Sequence, residues 1–365
     1  MNISVMKIGA RIHENDKIGN STNEVLATIK LLQGGGANVT AFTQVLASDN
    51  KNTSFPIKNY NEFYEHSNYF DALVIVNGNL NFYGGQKDQS VEVYKCINHF
   101  KGPVFYFMYD PYLGLKQCVK SVINRDWNTY TEKELFITNK LHYITQCRAT
   151  ELINEEAQQT CTYYPLEKFP LFMEPAFEQV NFDTAEYDLN YAGTFRGGRR
   201  ETDMIKFFFG LPDDIRVQMF GNLTLSQFKK NGNLRPPEFG KSVTHDLVKE
   251  NIQKGLSTVI IGDKKYKELD DIAQRASESI IYGQVTFIDS DYDRKNRMYD
   301  KELSEFLRID DREQLVDRLR KIKNDKNLFY EILEKQKNHI LKDFDKDEYA
   351  KGLIKHLERL MTNDR

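Results

Sequence analysis

No run of about 18 apolar residues occurs anywhere in the 365-residue sequence, so no segment reads as a membrane-spanning helix. The opening residues, MNISVMKIGARI, also lack the extended apolar stretch and small-residue cleavage site of a secretory signal. They read as a first β-strand, and a cytoplasmic protein is expected. Cysteine is scarce. Cys96, Cys118, Cys147 and Cys161 form no C-x-x-C pair, and no histidine spacing completes a zinc site around them. Free thiols in a reducing compartment follow. An excess of charge of either sign is missing too: 50 basic against 53 acidic side chains leave a formal net charge of −3, unlike a general nucleic-acid coat protein. DNA stays open as a substrate, because a basic patch can be local. One candidate patch is Lys116, Lys120 and Arg125, with Asp126 the one acid in 112–126; a solvated surface is the alternative. G-x-G-x-x-G and G-x-x-x-x-G-K-[ST] are both absent, which leaves the ordinary dinucleotide and P-loop readings unsupported.

What is present is a chain long enough for two cores, with 40% hydrophobic and 28% charged residues. Apolar strand patterns fall at 4–10, 38–45, 72–77, 104–110 and 142–146, with helical patterns such as 24–32 and 89–100 between them. This alternation predicts a parallel sheet covered on both faces. At 164–175 the pattern breaks into YPLEKFPLFMEP, whose three prolines mark a crossover and a hinge for closure on a ligand. Strands then resume at 188–193, 215–220, 258–262 and 285–289, with a helix over about 200–209. Toward the C-terminus, Leu328, Ile332 and Leu333 keep helical spacing among charges. The fold class expected is α/β, two Rossmann-like domains with parallel sheets facing a central cleft. The boundaries are 1–172, joined by a C-terminal helix over 346–365, and 173–345. In such sheets ligands gather at the carboxyl ends of the strands.

Five stretches carry candidate chemistry. YAGTFRGGRRE, residues 191–201, ends a strand in glycines flanked by Arg196 and Arg200, with a helix opening behind them. Close backbone approach, free helix N–H groups and guanidinium forks suit a diphosphate; a glycine turn with solvated arginines is the bland alternative. VFYFMYDPY places Asp110 at the end of an aromatic strand. Apolar neighbours there can raise a carboxylate toward a general base's range, although a turn-capping Asp before Pro is common. VNGNLNFYGGQKD combines Asn81, Phe82 and Tyr83 with a Gly-Gly pair at a strand end, which suits sugar or base contact as well as a plain turn. In QRASE, Arg275 and Glu278 share a helix face, as a surface ion pair or as holders of a phosphate and a ribose. Ser21 and Glu24 fit a helix capping box.

Taken together, VNGNLNFYGG, WNTYTEKEL, YAGTFRGGRRE, VIIGDKKY and FIDSDYD with the basic residues after it resemble, in order, the DNA β-glucosyltransferase family of T-even phages. The resemblance implies a GT-B-type inverting transferase that moves glucose from UDP-glucose to 5-hydroxymethylcytosine in double-stranded DNA. Asp110 falls on the family's catalytic aspartate. Arg196 and Arg200 fall on the pair that grips the diphosphate, Arg275 and Glu278 on the phosphate-binding arginine and ribose-binding glutamate, and Glu24 on a donor-site glutamate. Thr194 and Gly221 join the donor set. Uracil is read near the Gly-Lys pair, here with Ser242 and Val243 after it where the family has Ile-Pro. Asn81, Phe82, Tyr83, Lys116, Lys120 and Arg125 lie where the family meets DNA. Mg2+ or Mn2+ is implied as an assisting ion, for which the sequence identifies no ligand. The Pro-Tyr-Leu-Gly after Asp110 and small insertions within 251–278 depart from the family pattern. UDP-arabinose is therefore a rival donor, and a non-DNA or already modified acceptor a rival substrate. A monomer acting in the cytoplasm of an infected host, with no membrane partner, completes the expectation.

Overall fold

The computed structural model describes residues 1–6, 11–12, 18–19, 24–43, 54–76, 87–109, 141–151, 160–173, 177–195, 199–241, 245–262 and 264–363. It divides into two compact units, Met1–Phe169 with Asp345–Arg365, and Pro170–Phe344. The chain thus passes between units twice, once inside the proline-rich segment and once before the last helix.

The strands are β1 (Asn2–Met6), β2 (Arg11–Ile12), β3 (Ile18–Gly19), β4 (Asn38–Thr43), β5 (Ile57–Asn59), β6 (Ala72–Val76), β7 (Val104–Met108), β8 (Leu141–Thr145) and β9 (Thr160–Tyr163) in the first unit. The second unit carries β10 (Tyr187–Thr194), β11 (Val217–Asn222), β12 (Glu238–Phe239), β13 (Gly255–Ile260), β14 (Val285–Asp289) and β15 (Arg308–Ile309). β2 and β3 form a small antiparallel ribbon. The others build two sheets, ordered β5-β4-β1-β6-β7-β8-β9 and β12-β11-β10-β13-β14-β15, and every ladder in both is parallel. This is the expected pair of parallel α/β domains.

The central strands explain themselves. ALVIV of β6 and VFYFM of β7 are buried at every position, as a parallel strand covered by helices on both faces must be. Helices are amphipathic and capped. Asp300, Asp311 and Asp325 each accept an N–H of the helix that follows. In Lys326–Leu341, Ile332 and Leu333 are buried and Leu328 packs at the edge of the core. The second unit's core gathers Phe207, Phe208, Phe209, Phe228 and Phe287 against these helices. The three described cysteines, Cys96, Cys147 and Cys161, are free and buried. Among the described residues no helix is long and apolar enough to cross a membrane.

Candidate donor site and catalytic edge

In the second sheet the chain moves outward from β10 through β11 to β12, then returns to lay β13 on the other side of β10. The carboxyl ends of β10 and β13 therefore flank the switch point, where an open parallel sheet offers its crevice. Gly193 and Gly221 are partners across β10 and β11 there. Gly221 has φ +117, and a Cβ on it would collide with the Gly193 carbonyl; a Cβ on Gly193 would lie 2.6 Å from the Tyr191 ring. Only glycine fits this pair, and the result is a shelf of bare backbone. Thr194 follows, exposed, and the Phe195 N–H extends the pairing to the Asn222 carbonyl at 3.2 Å.

Two arginines border the shelf. Arg275 opens the helix Arg275–Ile281. Its Nη1 donates to the Ala192 carbonyl of β10, and its guanidinium lies 5.6 Å from the Tyr191 ring centroid. Arg200 is half-buried in the first turn of the helix Arg199–Phe208. Its charge reaches the Tyr292 phenol, which burial pushes well above its ordinary pKa; Asp271 and Tyr266 add to that rise, and the Ala273 N–H and Arg200 oppose it. Tyr292 also fills the space a side chain on Gly262 would need, just beyond β13, and its hydroxyl accepts from the Ala273 N–H at 2.7 Å. Glu278 sits half-buried one helical turn past Arg275. Thr194, Gly221 and Arg275 thus come from three separate elements to one edge of one sheet, with Arg200 in the helix that follows β10 and Glu278 one turn along the helix from Arg275.

A charged network braces that edge. Asp289, fully buried at the end of β14, lies 3.2 Å from Lys206 Nζ and 3.9 Å from Lys267 Nζ. Lys267, whose side chain is 2% exposed, also pairs with Asp291. Mutual neutralisation makes these buried charges tolerable and ties Arg199–Phe208 and Lys264–Glu268 to the sheet.

The first sheet has its own switch point, between β1 and β6. Glu24 starts the helix Glu24–Gly34. Thr28 Oγ1 hydrogen-bonds the Glu24 carbonyl at 2.6 Å and the Tyr109 hydroxyl at 2.8 Å. Tyr109 directly follows β7. Burial raises its phenol pKa, the Thr28 bond opposes the rise, and the Glu24 carboxylate adds to it. Glu24 is therefore felt at the strand end from which Asp110 continues. Asp110 itself lies outside the described residues, as do Asn81, Phe82, Tyr83, Lys116, Lys120, Arg125, Arg196, Ser242, Val243 and the capping Ser21.

The sequence profile of the family described as Bacteriophage T4 beta-glucosyltransferase matches residues 1–173. The DNA beta-glucosyltransferase of Enterobacteria phage T4 is 28% identical over 275 residues, covering 73% of this chain and 76% of that protein. The chain is similar over most of its length to the bacteriophage T4 β-glucosyltransferase. The fold agrees across nearly its whole length. A solved T4 phage β-glucosyltransferase in complex with UDP and Mn2+ superposes with a TM-score of 0.78 at 26% identity, covering 98% of this chain and 99% of that one. A variant of the T4 enzyme in complex with UDP-glucose gives 0.79 at 25% identity, with 98% and 99% coverage. The two parallel-sheet units are those of a GT-B glycosyltransferase.

Beside that relationship stand three residues that motif reading passed over: Tyr191, Gly262 and Tyr292. Each lay inside or beside a quoted motif, but aromatic support for a glycine or an arginine leaves no sequence spacing to detect. Among the described residues no three His, Cys, Asp or Glu side chains converge as a metal site.

Proposed function

We propose that this chain is an inverting, UDP-glucose-dependent DNA glucosyltransferase acting on 5-hydroxymethylcytosine. The observation that carries the reading is the switch-point edge of the second unit, where a bare glycine shelf is bordered by Arg275, fixed on Tyr191, and by Arg200. Such an edge is shaped for a nucleoside diphosphate. The T4 relative is named a DNA beta-glucosyltransferase, and its solved structures hold UDP-glucose or UDP with Mn2+.

In this reading the 173–345 domain holds the donor and the 1–172 domain, with the 346–365 helix, holds DNA. Arg196, Arg200 and Arg275 bind the diphosphate along Thr194 and Gly221. Glu278 takes the ribose, Ser242 and Val243 border the uracil, and Glu24 contributes to the donor site. The target base leaves the stack, with Asn81, Phe82, Tyr83, Lys116, Lys120 and Arg125 on the DNA. Asp110 accepts the proton of the hydroxymethyl group as its oxygen bonds to the anomeric carbon. The bond from that carbon to UDP breaks, and UDP leaves with the electron pair from the opposite face. The arginines stabilise the charge that builds on it. The described side chains do not form a cage for Mg2+ or Mn2+, and no step is routed through a cation. The enzyme works as a monomer in the host cytoplasm.

The deciding experiment incubates hydroxymethylcytosine DNA with a panel of UDP-sugars and weighs the released nucleosides. One added hexose, with UDP-glucose the preferred donor, is expected. A pentose would install arabinose as the donor, and no mass change would remove the DNA reading. Asp110→Ala should bind UDP-glucose as before and lose roughly 10²–10⁴-fold in turnover; near-native turnover would overturn its role as base.

A further inference from the structure

Between Asp214 and Glu238 the chain carries no acid and four bases, Arg216, Lys229, Lys230 and Arg235, although acids outnumber bases in the protein as a whole. Two of the four are engaged. Arg235 pairs with Asp213 at 2.9 Å, and Arg216 donates to the Ala185 carbonyl at 3.2 Å. Lys229 and Lys230 are exposed, and neither takes part in an ion pair among the described residues.

These lysines stand on a stiff base. Thr224 and Gln227 close a capping box, with the Thr224 N–H donating to Gln227 Oε1 at 2.8 Å. Phe228, 1% exposed, is wedged among Phe195, Phe209 and Phe239 at centroid distances of 5.1, 5.0 and 5.8 Å. The Lys230 N–H donates to Glu201 Oε1 at 3.3 Å. The turn leaves β11 at its carboxyl end, on the same edge of the sheet as the glycine shelf. Phe195 and Glu201, which anchor it, also bracket the stretch bearing Arg196 and Arg200. Its outer face presents Leu225 at 44% exposure, the two ammonium groups, and the exposed Thr224 and Ser226, whose hydroxyls bond each other at 3.1 Å.

We propose that the turn at 224–230 is a DNA-backbone contact supplied by the nucleotide-binding unit, with Lys229 and Lys230 neutralising phosphates of the acceptor duplex. This rests on the acceptor being DNA. Adjacent lysines on flexible stems are mobile point charges that suit a spaced row of phosphates, while forked arginines suit one fixed diphosphate. Hydroxyls beside them are ordinary backbone-positioning donors to DNA.

The test compares full-length wild type with Lys229→Ala/Lys230→Ala and with Lys229→Arg/Lys230→Arg. Duplex affinity is measured across a salt series, and donor affinity and kcat at saturating DNA are measured beside it. The alanine pair should bind duplex roughly tenfold more weakly at low salt, and its log K against log salt slope should flatten by about 1–2. Donor affinity and kcat should hold, and the arginine pair should restore the slope. Unchanged duplex affinity and slope in the alanine pair would overturn the proposal. So would a weakened donor with unchanged DNA binding, which would move the lysines into the nucleotide site. Wild type that neither binds nor modifies DNA would remove the functional reading itself, a result seen before any variant is compared.

Discussion

Arg275 shows how an arginine is kept in place without an acid among the described residues. One donor is fixed on the Ala192 carbonyl and the planar face lies over Tyr191, so the remaining N–H groups of the fork are presented in a set orientation. Tyr191 is held in turn by Phe208, 5.1 Å away. A cation–π contact is worth about 0.5–2 kcal/mol, so Tyr191→Leu should raise the donor KM by roughly two- to thirtyfold. Phe208→Leu is the control: it removes a ring equally buried in the same core, and should lower the melting temperature with a smaller change in donor KM. Equal donor KM values in the two variants would show that Tyr191 acts through packing alone. The neighbouring Gly221 makes a different claim. Its φ of +117 and its contact with Gly193 leave no room for a methyl group, so Gly221→Ala should cost about 2–4 kcal/mol in urea unfolding. A loss below about 0.5 kcal/mol, the exposed-site background, would mean that the shelf can shift. Arg200 and Arg275 drew notice in the sequence by residue type, whereas Gly197 and Gly198, the glycines read there for a diphosphate, lie outside the described residues and the shelf is built by Gly193 and Gly221. Tyr191 did not draw notice, because any large ring in the right place would have satisfied the same local pattern.

Strands were legible in proportion to their length. The strand expected at 285–289 is Val285–Asp289, and those expected at 104–110 and 188–193 are Val104–Met108 and Tyr187–Thr194. Ile57–Asn59, Glu238–Phe239 and Arg308–Ile309 escaped, since two or three residues are too few to carry a period. The helix Lys346–Asn363 was expected beside the first unit, and its seat explains why it belongs there. Tyr349 donates to the Pro165 carbonyl at 2.8 Å, Tyr164 donates to the Tyr349 carbonyl, and His356 Nε2 meets Thr162 Oγ1 at 3.0 Å. Arg359 Nη2 lies 3.1 Å from His356 Nδ1, an arrangement open only to a neutral ring. Burial first, and Arg359 second, hold the His356 pKa below its ordinary 6.5. Above that pH the ring is neutral folded or unfolded, and the seat contributes fully. As pH falls below 6.5 the unfolded chain takes up a proton that the folded chain resists, so stability declines down to the depressed folded pKa. His356→Gln should show a shallower fall in melting temperature between about pH 7 and pH 5 than wild type. Parallel curves would remove His356 from the pH response.

At the scale of the molecule, alternating strands and helices were enough to expect two parallel sheets, but not to say which strands flank each switch point. That depends on strand order, set by crossovers between residues far apart: Gly193 meets Gly221, and Arg275 reaches Ala192 across 83 positions. The acid-free stretch from 215 to 237 was visible in the sequence and carried no motif, so only the turn that displays its lysines gives it meaning. Because Pro170–Phe344 is contiguous while the other unit reclaims Asp345–Arg365, the order of synthesis is built into the architecture. A ribosome delivers every strand of the contiguous unit before the helix that the other unit reclaims. Until then Gly35, which fits against Ala350 and Ile354, faces an empty berth. A nascent chain can therefore complete Pro170–Phe344 before the other unit receives its last helix.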